Sequence, residues 1–248
     1  VRPRPRELQL PVLQPEVAMI GNDVVDLAHP ATRPGAQHPR FDARVFTGAE
    51  RAALAQSSEA ERLRWIFWAA KESAYKAARK LDSRTVWSPA RFAVQLEPAG
   101  PRELTVLCGV VRHGALAFSL RVESNAEKVH ALAFCAQSAP DALYCDGVES
   151  CAKGVKAGAA VRAAARREIA AWLGAAPDAV CIGRRGRIPT LHIAGLPREA
   201  ADLSLSHHGR FVAWACEIER AALRNAPRRA ANHSARHGAM RRVERHAV

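Results

Sequence analysis

The chain has 248 residues, 48% of them apolar and 25% charged, with 37 Lys and Arg against 24 Asp and Glu. That length and composition support a real core in one large domain or two small ones. No apolar run reaches the ~18 residues needed to span a bilayer, and the N-terminus lacks the apolar core of a secretory signal.

Part of the net charge of +13 is local, since residues 221–248 hold seven arginines and one glutamate. The remainder is still basic and suits an acidic ligand. No zinc-finger spacing, aromatic RNA-binding motif or recognition-helix pattern accompanies it, which makes a nucleic-acid-binding module the weaker reading. The six cysteines (108, 135, 145, 151, 181, 216) form no Cys-x-x-Cys pair. Reduced, buried thiols in a cytoplasmic protein are the expectation.

Residues 1–16 alternate Arg and Pro and then lose periodicity, as a disordered leader does. The first half is expected over 17–136. It opens on a buried strand, Val17 to Leu27, that carries Asp23 and Asp26. Thr47-Gly48-Ala49-Glu50 is a capping box for a short helix through Ala55. A long helix follows from about Ala60 to Leu81, its apolar stripe made by Leu63, Ile66, Phe67, Ala70, Ala74, Ala78 and Leu81. Strand-like runs at Arg91–Glu97, Glu103–Val111, Ala115–Glu123 and Lys128–Ala136 suggest an antiparallel meander behind it.

Residues 137–149, with Pro140, Asp141, Asp146 and Gly147, read as a linker. A second half is expected over 150–220, with a helix at Ala157–Leu173 stopped by Gly174. Strands are expected at Ala179–Gly183, Arg187–Ile193, Leu203–Ser206 and Phe211–Ile218, and a basic flexible tail over 221–248. The predicted class is α+β, with two pseudo-symmetric halves that each pack a long helix on a small, mostly antiparallel sheet.

Two carboxylates stand out. Acids are depleted from strands, so Asp23 needs a reason to be there; a strand-ending turn acid is the bland one. Asp26 lies three residues on, hence on the opposite face in regular strand geometry. In the long helix, Glu72 and Lys76 lie one turn apart on one face, a turn beyond Trp68. Taken alone, that pair reads first as a surface ion pair, since such pairs are common and weak. Asp23 with Glu72 across a strand–helix contact would make a hard oxygen site suited to Mg2+.

The segment Gly21-Asn22-Asp23-Val24-Val25-Asp26-Leu27, followed by Trp68, Lys71-Glu72-Ser73 and Lys76, resembles the two signature motifs of the 4'-phosphopantetheinyl transferases. Gly186-Arg187-Ile188-Pro189 and Ser204-Leu205-Ser206-His207-His208 are similar to that superfamily's Gly-Lys/Arg-Pro and Ser-His segments. The order is permuted. Large members of the surfactin-synthetase-activating type carry the latter pair first, whereas the short holo-acyl-carrier-protein synthases have no room for the residues between Lys76 and Gly186. The large type also has a third acid two residues after the Asp, where this chain has Val25.

The resemblance implies an enzyme moving the phosphopantetheine arm of coenzyme A onto a serine of an apo acyl or peptidyl carrier protein, in fatty-acid, polyketide or nonribosomal peptide biosynthesis. It implies Mg2+ on Asp23 and Glu72, with Glu72 or a water beside it accepting the serine proton. Lys76 and Lys71 fall near phosphate, and Arg187 and His207 contact coenzyme A. Arg184 and Arg185 belong to the same turn as Arg187, and His208 is expected to face solvent. A site between the halves of a monomer follows from the distance between the motifs. A non-catalytic relative that binds carrier protein or nucleotide is the alternative.

Overall fold

The structure, a computed structural model, describes residues 19–97, 106–135, 142–225 and 241–242. Strand β1 (Ile20–Asp26) is buried along its whole length. Two short helices follow, α1 (Phe41–Val45) and α2 (Gly48–Gln56). The capping box is formed. Glu50 N donates to Thr47 Oγ1 at 3.2 Å, and Thr47 N donates to Glu50 Oε2 at 2.7 Å. Helix α3 (Ala60–Leu81) then presents its apolar stripe to a meander of β2 (Ala93–Leu96), β3 (Val106–His113), β4 (Leu116–Ser124) and β5 (Lys128–Cys135). β1 pairs antiparallel with β5 and closes the five-stranded order β1-β5-β4-β3-β2.

The second half begins with β6 (Leu143–Ser150) and α4 (Ala157–Leu173), which Gly174 ends in the left-handed region at φ 63°. The hairpin β7 (Val180–Arg185) and β8 (Ile188–Ile193) leads to β9 (Ala201–His208) and β10 (Phe211–Ile218). A short α5 (Arg220–Asn225) and the two-residue β11 (Arg241–Arg242) complete it, in a sheet ordered β11-β6-β10-β9. The class is α+β, built on antiparallel sheets with few helices.

Residues 137–149 are not a linker throughout, because β6 begins at Leu143 and pairs with β10 over its whole length. The misleading residue is Gly147. It serves close packing rather than a turn, since a Cβ there would lie 2.2 Å from the Trp214 ring of the opposite strand. The segment 221–248 is also not wholly a tail. It continues α5, and Arg241 and Arg242 pair with Tyr144 and Leu143 of β6. The leader over 1–16 lies outside the described residues. All six cysteines are free thiols, but only Cys135 and Cys216 are buried, and Cys181 is exposed.

Helix α3, the first sheet, the second sheet and α4 are stacked as four layers. Alternation along β10 shows the arrangement: Val212, Trp214, Cys216 and Ile218 pack with Val161, Ala165 and Ile169 of α4. Phe211, Ala213 and Ala215 pack against Val24, Ile20, Leu132 and Phe134 of the first sheet. β1 alternates likewise. Gly21, Asp23 and Val25 face α3, while Ile20, Val24 and Asp26 face the second sheet.

β1 is an edge strand, and its outward backbone groups are met by side chains. Ile20 N donates to Asp202 Oδ2, Asn22 N to Ser204 Oγ and Asp26 N to His208 Nδ1, at 2.8, 2.8 and 3.0 Å. The same register offset recurs in all three, so Asp202, Ser204 and His208 of β9 form rungs between the halves. From α3, Lys76 Nζ donates to Asn22 O at 2.9 Å and Lys80 Nζ to Ile20 O at 2.6 Å. Buried backbone groups left without such partners would each cost free energy.

Helix α3 lies directly on β1 at Gly21, where a Cβ would stand 1.8 Å from the Ser73 carbonyl oxygen. Relief requires moving one backbone away from the other. Gly21→Ala is therefore expected to destabilise the fold by about 3 kcal/mol or more, measured by urea unfolding.

Candidate functional site

At the β1–α3 contact the two motifs meet. Lys76 Nζ lies 2.7 Å from Asp23 Oδ1, with Asp23 91% shielded from solvent. Glu72, one turn before Lys76 on α3, is half-buried. Its carboxyl is pushed up to about 7 by burial first and by the negative charge of Asp23 second, with Lys76 opposing. The two carboxylates thus share one electrostatic neighbourhood, and a single lysine neutralises them incompletely. A hard divalent cation would suit that imbalance, and Asp23 and Glu72 are the residues that could hold it. Among the described residues no group of three or more His, Cys, Asp and Glu could hold a metal. A cation here would rely on ligand and water oxygens for the rest of its shell.

Lys71 is not at this site, which corrects its expected contact with coenzyme A. It is fully buried, donating to Glu50 Oε1 at 2.9 Å and to the carbonyls of Pro89 and Phe92 at 3.2 and 2.5 Å. One helical residue is a rotation of ~100°, so Lys71 points into the core while Glu72 points toward the rim. Burial lowers the Lys71 pKa, and its bond to Glu50 opposes the shift.

Asp26 points away from Asp23 and is engaged elsewhere. Arg210 Nη2 and Nε donate to its two oxygens at 2.8 and 3.0 Å, and Arg210 N donates at 2.9 Å. Burial alone would raise this carboxyl, yet the Arg210 and Ala28 hydrogen bonds hold it at about 2. Gly209, at φ 54°, permits the approach, since a Cβ there would stand 2.4 Å from Asp26 Oδ2. Asp26 therefore pins the β9–β10 turn to β1.

Arg187 and His207 come together in a cavity of about 280 Å3, with Arg162, Arg184, Leu205 and Ser206 also on its wall. Three guanidinium groups and an imidazole around one opening would suit an anion. Arg185 does not line it, because alternate residues of the β7–β8 hairpin point to opposite sides. Arg162 went unrecognised in the sequence, where it is one of several arginines on α4. Only the register of α4 against β9 singles it out.

Asp23, Glu72 and Lys76 do not line that cavity. The two clusters are connected through the end of β9, where successive residues face opposite ways. His207 turns to the cavity, while His208 accepts the Asp26 N–H at Nδ1 and sits 4.5 Å from the His29 ring. His208 is thus half-buried rather than solvent-facing, and burial is the main cause of its lowered pKa. With Nδ1 accepting, its proton resides on Nε2.

A strand carboxylate held against a helical Glu–Lys pair, with a basic cavity nearby, suits a protein that handles phosphorylated ligands with a divalent cation. Residues 19–135 match the family model of the 4'-phosphopantetheinyl transferase superfamily. The matched segment spans β1 to β5 and contains Asp23, Glu72 and Lys76. A comparison with curated proteins found no match. No helix among the described residues is long and apolar enough to cross a membrane.

Two outcomes test this geometry. Between pH 4.5 and about 7 the folded state keeps the Glu72 proton that the unfolded chain releases, so this group's contribution to stability is lost as pH rises. In urea titrations without divalent cations, Glu72→Gln should gain stability relative to the parent from about pH 5 to about pH 7.5, then level off. Lys71→Met leaves the buried Glu50 without its ammonium partner, and should cost about 3–5 kcal/mol in the same assay.

Proposed function

We propose that this protein is a 4'-phosphopantetheinyl transferase, moving the phosphopantetheine arm of coenzyme A to a serine of an apo acyl or peptidyl carrier protein and releasing adenosine 3',5'-bisphosphate. The observation that carries the reading is the electrostatic pairing of Asp23 with Glu72 across the β1–α3 contact. It lies inside the segment that matches the superfamily.

Asp23 and Glu72 would hold Mg2+, which when bound supplies positive charge to the pyrophosphate oxygens. The remaining chemistry belongs to side chains. Lys76, its ammonium already at the carboxylate pair, offsets charge gathering on the phosphoryl oxygens. The carrier serine Oγ forms a bond to the phosphorus of the pantetheine arm as the bond to the bisphosphate breaks. The serine proton passes to Glu72 or to a water beside it. Arg162, Arg184, Arg187 and His207 grip the phosphorylated nucleotide end. Lys71 has no part in this reading.

Incubation with Mg2+, coenzyme A and an apo carrier protein, followed by weighing the carrier, tests the assignment directly. A phosphopantetheine mass gain is expected, and its absence across acyl and peptidyl carriers would favour a binding-only relative. Asp23→Asn and Glu72→Gln should each slow transfer by at least ~100-fold while leaving the fold intact. Arg187→Ala should raise the coenzyme A Kd by ~10-fold or more, measured calorimetrically.

A further inference from the structure

We infer that Cys145 and Cys216 are an oxidation site: two thiols placed to join as a cross-strand disulfide between β6 and β10. They stand directly opposite each other in the antiparallel register, and a side-chain hydrogen bond already links them. Opposed residues of an antiparallel pair have Cα atoms ~4.5–5.5 Å apart, within the range of ~4.4–6.8 Å that a disulfide spans. Their Cβ atoms leave the same face, toward α4, where Cys216 belongs to the core and Cys145 packs beside it.

Cys108 faces Arg121, Cys135 faces Phe118 and Cys181 faces His192 across their ladders, while Cys151 lies beyond the end of β6.

The two thiols are unequal in a way that orders the reaction. Cys145 is partly exposed and meets an oxidant such as hydrogen peroxide first. Its sulfur takes one peroxide oxygen, giving a sulfenic acid and one water. The Cys216 sulfur then bonds to the Cys145 sulfur. The hydroxyl leaves with the Cys216 proton as a second water, so two thiols are oxidised and one peroxide is reduced. Cys216 is fully enclosed, which keeps solvent oxidants from it and leaves it the second step, within reach of the Cys145 sulfur.

The cross-link would close a loop running from β6 through α4, β7, β8 and β9 to β10. That loop holds Arg162, Arg184, Arg187 and His207, and therefore the whole basic cavity. Since the strands are already paired in this register, the bond would constrain the unfolded chain without rearranging the folded one. The inference does not depend on what the cavity binds.

The test is mild treatment of the full-length protein with hydrogen peroxide, followed by peptide mapping without reductant and by thermal unfolding. A linked Cys145–Cys216 peptide is expected, together with a Tm rise of at least ~5 °C that dithiothreitol reverses. Cys145→Ser should lose both effects, and Cys216→Ala serves as the second variant should the first unfold. The inference is overturned if Cys151 and Cys181 are oxidised while this pair remains reduced. Linkage of either residue to another cysteine, or a cross-link with no rise in Tm, would overturn it equally.

Discussion

The approach of the α3 backbone to the β1 backbone at Gly21 is the constraint on which the rest depends. With no Cβ between Gly21 and the Ser73 carbonyl, the helix settles onto the strand itself rather than onto a layer of side chains. Buried Ala69, Ala70, Ser73, Ala74 and Ala77 keep the facing side of the helix thin. The distances of the charged groups follow. Lys76 reaches both Asn22 O and Asp23, and Glu72 comes within electrostatic range of Asp23. A thicker interface would leave the same three side chains unable to act on one ligand, whatever their chemistry.

The second sheet contributes in a complementary manner. It does not continue the first sheet; it stacks upon it and reaches the β1 edge with side chains. Asp202 illustrates the economy of the junction, since it accepts from Ile20 N and also pairs with Lys80, which in turn donates to Ile20 O and Leu203 O. The same strand ends in His207 and His208, which serve the basic cavity and the β1 motif respectively. Two distant motif sets are thereby coupled through one short length of backbone.

Much of this was legible in the sequence because it rests on periodicity. The stripe of α3, the meander after it, the Thr47–Glu50 cap and the opposite facing of Asp23 and Asp26 all follow from 3.6- and 2-residue repeats. What escaped depends on contacts between distant segments. Gly147 resembled a turn residue because nothing local reveals the Trp214 ring against it. Lys71 was expected near phosphate because its partner, Glu50, lies on another helix and is itself occupied by the cap, so nothing local shows its burial. Arg162 was indistinguishable from neighbouring arginines, and Arg184 from Arg185, until the strands of the second half were in place around them. His208 likewise depended on a backbone donor from the far end of the chain.

The side-chain rungs along β1 bear on how the chain is protected from itself. An edge strand with bare amides and carbonyls is a template onto which another molecule's strand can add. Here Asp202, Ser204, His208, Lys76 and Lys80 occupy that rim, and all five carry polar groups that an incoming strand would first have to displace. Severing the second half from the first would strip away three of them, leaving a fragment with an adhesive border and a tendency toward self-assembly.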